Sequence, residues 1–239
     1  MDVLRTPDHR FSGLPDWPYE PHYTEVSDGD GGTLRVHHAE AGPADGPTVL
    51  LLHGEPTWGY LYRKMMPALA KAGIRSLVPD QVGFGRSDKP ADRGDYSYQR
   101  HVDWMQGWLD ATGTERLFFF GQDWGGLVGL RLVATDPERF AGLVVSNTGL
   151  PDGSGKPNGA FMAWQRFSQT TEEFSIGRII TGGCLSELPP DVIDAYDAPF
   201  PDDTFKEGAR IWPTLVPTSA DDPAVPSNLA AWEVLSAYD

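Results

Sequence analysis

The chain has 239 residues, with 34 acidic against 19 basic side chains and a formal net charge of −15 at pH 7. That length suits one α/β domain with a sizeable core and an inserted subdomain, and is too short for two full domains. So acidic a surface argues against nucleic acid and anionic membranes, which are bound through basic patches, and favours a small neutral molecule as partner.

The N-terminus, Met1-Asp2-Val3-Leu4-Arg5-Thr6-Pro7, lacks the apolar centre of a signal peptide, so the expected compartment is the cytoplasm. Tyr23 to Val26 and Leu34 to His38 flank the turn Asp28-Gly29-Asp30-Gly31-Gly32 and read as an antiparallel pair. Thr48 to Leu52 reads as a buried strand, and its apolar run, like the others, falls well short of the ~18 residues needed to span a bilayer. Tyr60 to Lys71 has helical spacing and stops at Gly73, and Ile74 to Val78 is the next strand. Helix Tyr98 to Thr112, strand Leu117 to Phe120, helix Leu127 to Ala134 and strand Leu143 to Ser146 continue the alternation. Repeated β-α-β units with short apolar strands imply a mostly parallel sheet with helices on both faces. From Pro151 the chain turns to Pro, Gly and Asp in short helical pieces, expected to cap the carboxyl edge of the sheet, where open α/β sheets bind ligands. Cys184 is the single cysteine, which excludes an internal disulfide. The expected organisation is a core over 1–150, a helical cap over 151–226 and a helix returning to the core over 227–239, with helical spacing from Leu229 to Tyr238.

The most informative segment is Gly121-Gln122-Asp123-Trp124-Gly125-Gly126, directly after the apolar run Leu117 to Phe120. A strand that turns at once into a helix packs its corner closely, and small residues around a central side chain allow that while thrusting the side chain out at the top of the sheet. This is the pattern of the nucleophile elbow, usually Gly-x-Ser-x-Gly, with Asp123 in place of serine. An ionised carboxylate is already a nucleophile at neutral pH and attacks an sp3 carbon, whereas a serine alkoxide suits acyl transfer. The competing reading of Asp123 is a simple N-cap of the following helix. Among the histidines, His53 fits loop architecture better than a catalytic base, and His101, mid-helix, reads as a surface or packing residue. His9, His22, His37 and His38 lie in the N-terminal hairpin region.

These motifs, with His53-Gly54-Glu55-Pro56-Thr57-Trp58, Pro79-Asp80, Gly83-Phe84-Gly85-Arg86-Ser87-Asp88-Lys89-Pro90, Ser146-Asn147-Thr148-Gly149 and Tyr196-Asp197-Ala198-Pro199-Phe200-Pro201, resemble the haloalkane dehalogenases of the α/β-hydrolase fold over nearly the whole chain. The resemblance implies that Asp123 displaces a halide from a small halogenated aliphatic substrate. It implies that Trp124 and Trp164 hold the departing halide, and that the backbone N–H groups of Glu55 and Trp124 form the oxyanion hole for hydrolysis of the alkyl ester. Indole N–H groups suit the halide, since they donate without ionising or accepting. The rival reading of both tryptophans is core packing, in a chain that holds eight.

The family also needs a late histidine to activate water and an acid to orient it. Neither is found here. Asn147 stands where one branch of the family has its acid after the sixth strand, so this chain resembles the branch whose acid follows the seventh. The last two strands, the acid and the histidine are expected to be missing from a protein of roughly 300 residues, the usual extent of such domains. The consequences expected are one alkylation of Asp123 without turnover, and poor solubility from an uncovered sixth strand carrying Leu143, Val144 and Val145. Alternatives are an epoxide hydrolase, which opens its ring with cap tyrosines, and an inactive fold that only binds small ligands. No His/Cys grouping has metal-ligand spacing and Gly83-Phe84-Gly85 is not in a dinucleotide-binding context, so no metal and no cofactor is expected. The full-length protein is expected to be a monomer.

Overall fold

Apolar runs separated by glycine-rich turns give a sheet that a computed structural model describes over residues 1–238. The short β1 (Val3–Leu4) is followed by β2 (His22–Ser27) and β3 (Thr33–Ala41), paired antiparallel with Val26 opposite Leu34. Asp28 closes their turn by accepting the Asp30 and Gly32 N–H groups, each at 2.8 Å. Next come β4 (Thr48–Leu52), α1 (Met65–Lys71), β5 (Arg75–Pro79) and β6 (Lys89–Pro90), which pairs with β1. The core continues through α2 (Tyr98–Ala111), β7 (Leu117–Gln122), α3 (Trp124–Thr135) and β8 (Phe140–Ser146). The main sheet has the order β2-β3-β5-β4-β7-β8, antiparallel from β2 to β5 and parallel from there to β8.

The crossovers reverse direction around β4. The chain steps from β4 to β5 on one side, then passes back over β4 to β7 on the other. Right-handed crossovers running in opposite directions put α1 on one face of the sheet and α2 and α3 on the other. The carboxyl ends of β4 and β7, paired with Leu52 opposite Gly121, therefore flank the point where a doubly wound sheet opens a crevice.

After β8 the described residues form helices only: α4 (Gly159–Thr170), α5 (Ile176–Gly183), α6 (Pro190–Asp197), α7 (Glu207–Ile211) and α8 (Val225–Leu235). The last packs on α3, where Arg131 donates to Asn228 Oδ1 at 3.1 Å. On the same side of the molecule Trp232 donates to the Leu150 carbonyl at 2.9 Å. No helix among the described residues is long and apolar enough to cross a membrane.

Three helices differ from the sequence reading by more than one residue, and the strands expected at Leu34–His38 and Leu143–Ser146 extend to Thr33–Ala41 and Phe140–Ser146. The expected helix Tyr60 to Lys71 is a 3-10 turn over Gly59–Tyr62 followed by α1. Pro67 has no N–H to return to the Arg63 carbonyl, so it is tolerated only within the first turn of a helix. α3 begins at Trp124 rather than Leu127, because tight packing overrides the low helix propensity of Gly125 and Gly126. α8 starts at Val225, with Pro226 in its first turn, and ends at Leu235 instead of Tyr238. Asp239, the end of the expected returning helix, lies outside the described residues.

Candidate active site

β7 delivers Asp123 to the start of α3 with φ 53° and ψ −125°, a conformation that L-residues seldom adopt. Close contact on both sides holds that corner. A Cβ on Gly125 would lie 1.9 Å from the Leu52 carbonyl oxygen, and one on Gly54 would lie 2.3 Å from the Asp123 Cβ. Thr148, just beyond β8, donates its hydroxyl to the Asp123 carbonyl at 2.6 Å. The Asp123 side chain does not cap α3 as an N-cap carboxylate would. Instead Oδ1 accepts the Glu55 backbone N–H at 2.7 Å across 68 residues of sequence.

Burial pushes the Asp123 carboxyl above its ordinary value, and the backbone N–H groups of Glu55 and Trp124 pull partly against that shift. The two N–H groups expected to form an oxyanion hole thus both face the Asp123 carboxylate. Glu55 continues the site with its own side chain. Its carboxyl is held well above the usual carboxylate range by burial and by the negative Asp123 beside it, while the Trp164 indole works in the opposite direction. One of its oxygens, Oε1, is buried without a hydrogen-bond partner. Trp164, on α4, stacks on Phe167 and Phe174 with centroids 5.7 and 6.0 Å away. All four residues singled out in the sequence, Glu55, Asp123, Trp124 and Trp164, come together here.

Trp124 is 2 % exposed and lies between Tyr98, edge-on at 5.1 Å, and Trp212, stacked at 5.0 Å with 23° between the planes. His53 has both ring nitrogens engaged. Nδ1 meets the Gly54 carbonyl at 3.1 Å and Nε2 accepts the Gln81 N–H at 3.0 Å. Gln81 also donates its side-chain amide to the His53 carbonyl at 2.7 Å, so it clamps the loop that carries Glu55. That engagement agrees with a loop-building role and leaves His53 no lone pair for general-base work.

Of the two readings of His101, surface or packing, the structure gives packing: it is fully buried, and its Nε2 accepts the Trp212 indole N–H. The signal was present in the sequence, since His101 follows Tyr98 by three and precedes Met105 by four, on the face of α2 that is buried. Trp212 and Gln81 were missed altogether. Neither stands in a spacing pattern that marks a role, and each acquires its place from contacts distant in the chain. Among the described residues, no group of three or more His, Cys, Asp or Glu side chains is placed to hold a metal ion.

Known proteins are similar to this chain in sequence and in backbone. A family model described as the alpha/beta hydrolase fold matches residues 47–167. The chain is 54% identical to a haloalkane dehalogenase of Psychrobacter cryohalolentis, over all of this chain and 78% of that protein. It is 50% identical to haloalkane dehalogenase 1 of Mycobacterium tuberculosis, again over its full length and 80% of that protein. In structure it resembles the tetrameric haloalkane dehalogenase of Paraglaciecola agarilytica, with 37% identity, 98% of this chain and 78% of that chain covered, and a TM-score of 0.91. With identity of this level sustained from end to end, and an aspartate at the elbow of the hydrolase sheet, the chain belongs to the haloalkane dehalogenase family.

Proposed function

We propose that this chain carries out the carbon–halogen cleavage of hydrolytic dehalogenation, with Asp123 as the nucleophile and Trp124 and Trp164 as the halide donors. An Asp123 oxygen forms a bond to the alkyl carbon while the carbon–halogen bond breaks, and the halide leaves with the electron pair. The product is an alkyl ester on Asp123. Hydrolysis then places negative charge on the ester oxygen, within reach of the Glu55 and Trp124 N–H groups. The observation that carries the reading is the 2.7 Å bond from the Glu55 N–H to the Asp123 carboxylate, which aligns the nucleophile with one of those donors before any substrate arrives.

Residues 1–150 serve in this reading as the catalytic core, 151–226 as a cap over the carboxyl edge and 227–239 as the return to the core. The partner is a small halogenated aliphatic molecule and the site of action is the cytoplasm. Hydrolysis needs a base with a free lone pair near the ester, and neither His53 nor His101 offers one. Neither of these two histidines is therefore the base that hydrolyses the ester.

Intact mass after incubation with 1-bromobutane tests this directly. The expected result is a gain of one butyl group, mapped to Asp123 and absent in Asp123→Asn. A folded protein that gains nothing would remove Asp123 as the nucleophile, and sustained bromide release would show that a water-activating base is present.

A further inference from the structure

Two residues distant in sequence, Trp212 and His101, pack against the Trp124 ring. Trp212, in the turn after α7, is fully buried and stacks on Trp124. The rest of its surface meets Phe84, with centroids 4.0 Å apart, and His53 at 6.2 Å. An indole N–H only donates, so in so enclosed a place it must find an acceptor or remain unsatisfied. His101 supplies that acceptor through Nε2, 2.5 Å away, across 111 residues of sequence.

The rest of the His101 environment suits an acceptor. Its ring is enclosed by Tyr96 at 5.8 Å, Trp104 at 5.2 Å and Trp124 at 6.1 Å, all aromatic. With Nε2 accepting, the proton sits on Nδ1, which has no hydrogen-bond partner. Burial holds the imidazole at about 3, so the lone pair on Nε2 persists at neutral pH. The hydrogen bond thus sets the rotation of Trp212 about its ring axis, and the stacked face of Trp212 leaves the Trp124 ring one orientation against Tyr98. It also keeps the Trp212 N–H away from any anion at the site.

We infer that His101 is a positioning residue of the halide site, acting through Trp212 to fix the indole of Trp124. The inference rests on the reading that Trp124 holds the halide. With leucine at position 101, the Trp212 N–H is buried without an acceptor, its ring turns to find one, and the stack on Trp124 is lost.

A double-mutant cycle separates this from simple packing. Two readouts are taken on the 239-residue chain: quenching of tryptophan fluorescence by sodium bromide, and the rate of Asp123 alkylation by 1-bromobutane from intact mass. His101→Leu is expected to weaken bromide binding and slow alkylation by about tenfold each, the scale of one buried donor left unpaired. His101→Gln, whose amide oxygen reaches the position of Nε2, is expected to stay within about threefold of the parent, since a hydrogen bond of ordinary strength is restored. Trp212→Phe keeps a stacked ring and removes the donor, and in that background His101→Leu is expected to have no further effect.

An equal loss from His101→Leu in both backgrounds, or equal losses from Leu and Gln, would overturn the inference in favour of packing alone. If His101→Leu does not fold, the Gln variant and the Trp212→Phe double variant still decide. Trp124→Phe distinguishes the two levels. Unchanged bromide binding there would remove the halide reading itself, whereas loss there with an unaffected His101→Leu would remove only the role of His101.

Discussion

At Asp123 two opposing effects act on one carboxyl group. Burial favours the neutral acid and the two backbone N–H groups favour the anion, with a net shift above the ordinary value of 3.8. Because only the anion attacks carbon, alkylation by 1-bromobutane should rise with pH through a midpoint above 3.8. Intact mass across the acid range, with circular dichroism reporting the folded fraction, checks this, and a midpoint at or below the ordinary value would contradict it. A second residue-scale expectation concerns the elbow. Gly125→Ala would drive a methyl group into the Leu52 carbonyl, a contact between backbones that no rotamer relieves. The expected cost is about 3 kcal/mol, read as a lower urea midpoint. Asp123 itself was legible because the elbow is a local pattern of small residues after an apolar strand. The direction of its pKa shift was not, because that depends on a loop 68 residues away.

Between elements, the strands and loops around the site are tied together at Asp80, the residue after β5. It is fully buried and accepts from Gly59 N at 2.8 Å, Arg86 N at 2.7 Å and His37 Nδ1 at 2.7 Å, joining β3 to the loops after β4 and β5. Burial alone would raise this carboxyl. The charge and hydrogen bond of His37, then His53 and the Arg86 N–H, bring it down to about 2. Since its folded value lies below the ordinary 3.8, the unfolded chain binds more protons between the two. Asp80 therefore contributes stability that is fully present above 3.8 and is lost as pH falls through about 2. His37→Leu leaves the buried carboxylate without the His37 hydrogen bond, and should cost about 2 kcal/mol at neutral pH. It should also move acid unfolding to higher pH. Urea and acid titrations followed by circular dichroism check both, and an unchanged acid midpoint would show that His37 does not hold the carboxylate down. The strands that meet here were readable from their apolar runs. The hub itself was visible only as the dipeptide Pro79-Asp80, since nothing in local spacing says that His37, Gly59 and Arg86 converge on it.

For the whole molecule, the outer position of β8 has the widest consequence. Val144 and Val145 are 57% and 50% exposed on a strand that forms the edge of the sheet among the described residues. An apolar edge with unpaired backbone groups invites pairing between chains. The 239-residue chain is expected to associate with rising concentration in light scattering, and Val144→Lys is expected to shift it toward smaller species. A concentrated, monodisperse monomer of the parent chain would contradict this. A monomer was expected for the full-length protein, whereas the related dehalogenase of Paraglaciecola agarilytica is a tetramer. The oligomeric state of a longer chain is thus a separate question from the association of this edge.

By itself the sequence determined the alternation of strands and helices and the elbow with Asp123, while Trp124 and Trp164 were singled out only through the family resemblance. Those features are written in short-range order: apolar runs, glycine spacing and motifs of a few residues. Only the tertiary structure decided that His53 is spent on Gly54 and Gln81, that the Glu55 carboxyl sits beside Asp123, and that His101 reaches Trp212. Such contacts join residues tens to more than a hundred positions apart, and each partner alone is an unremarkable polar or aromatic side chain. Their chemistry comes from exclusion of water, which makes every buried donor and acceptor find a partner, and which partner it finds depends on how the chain crosses over β4.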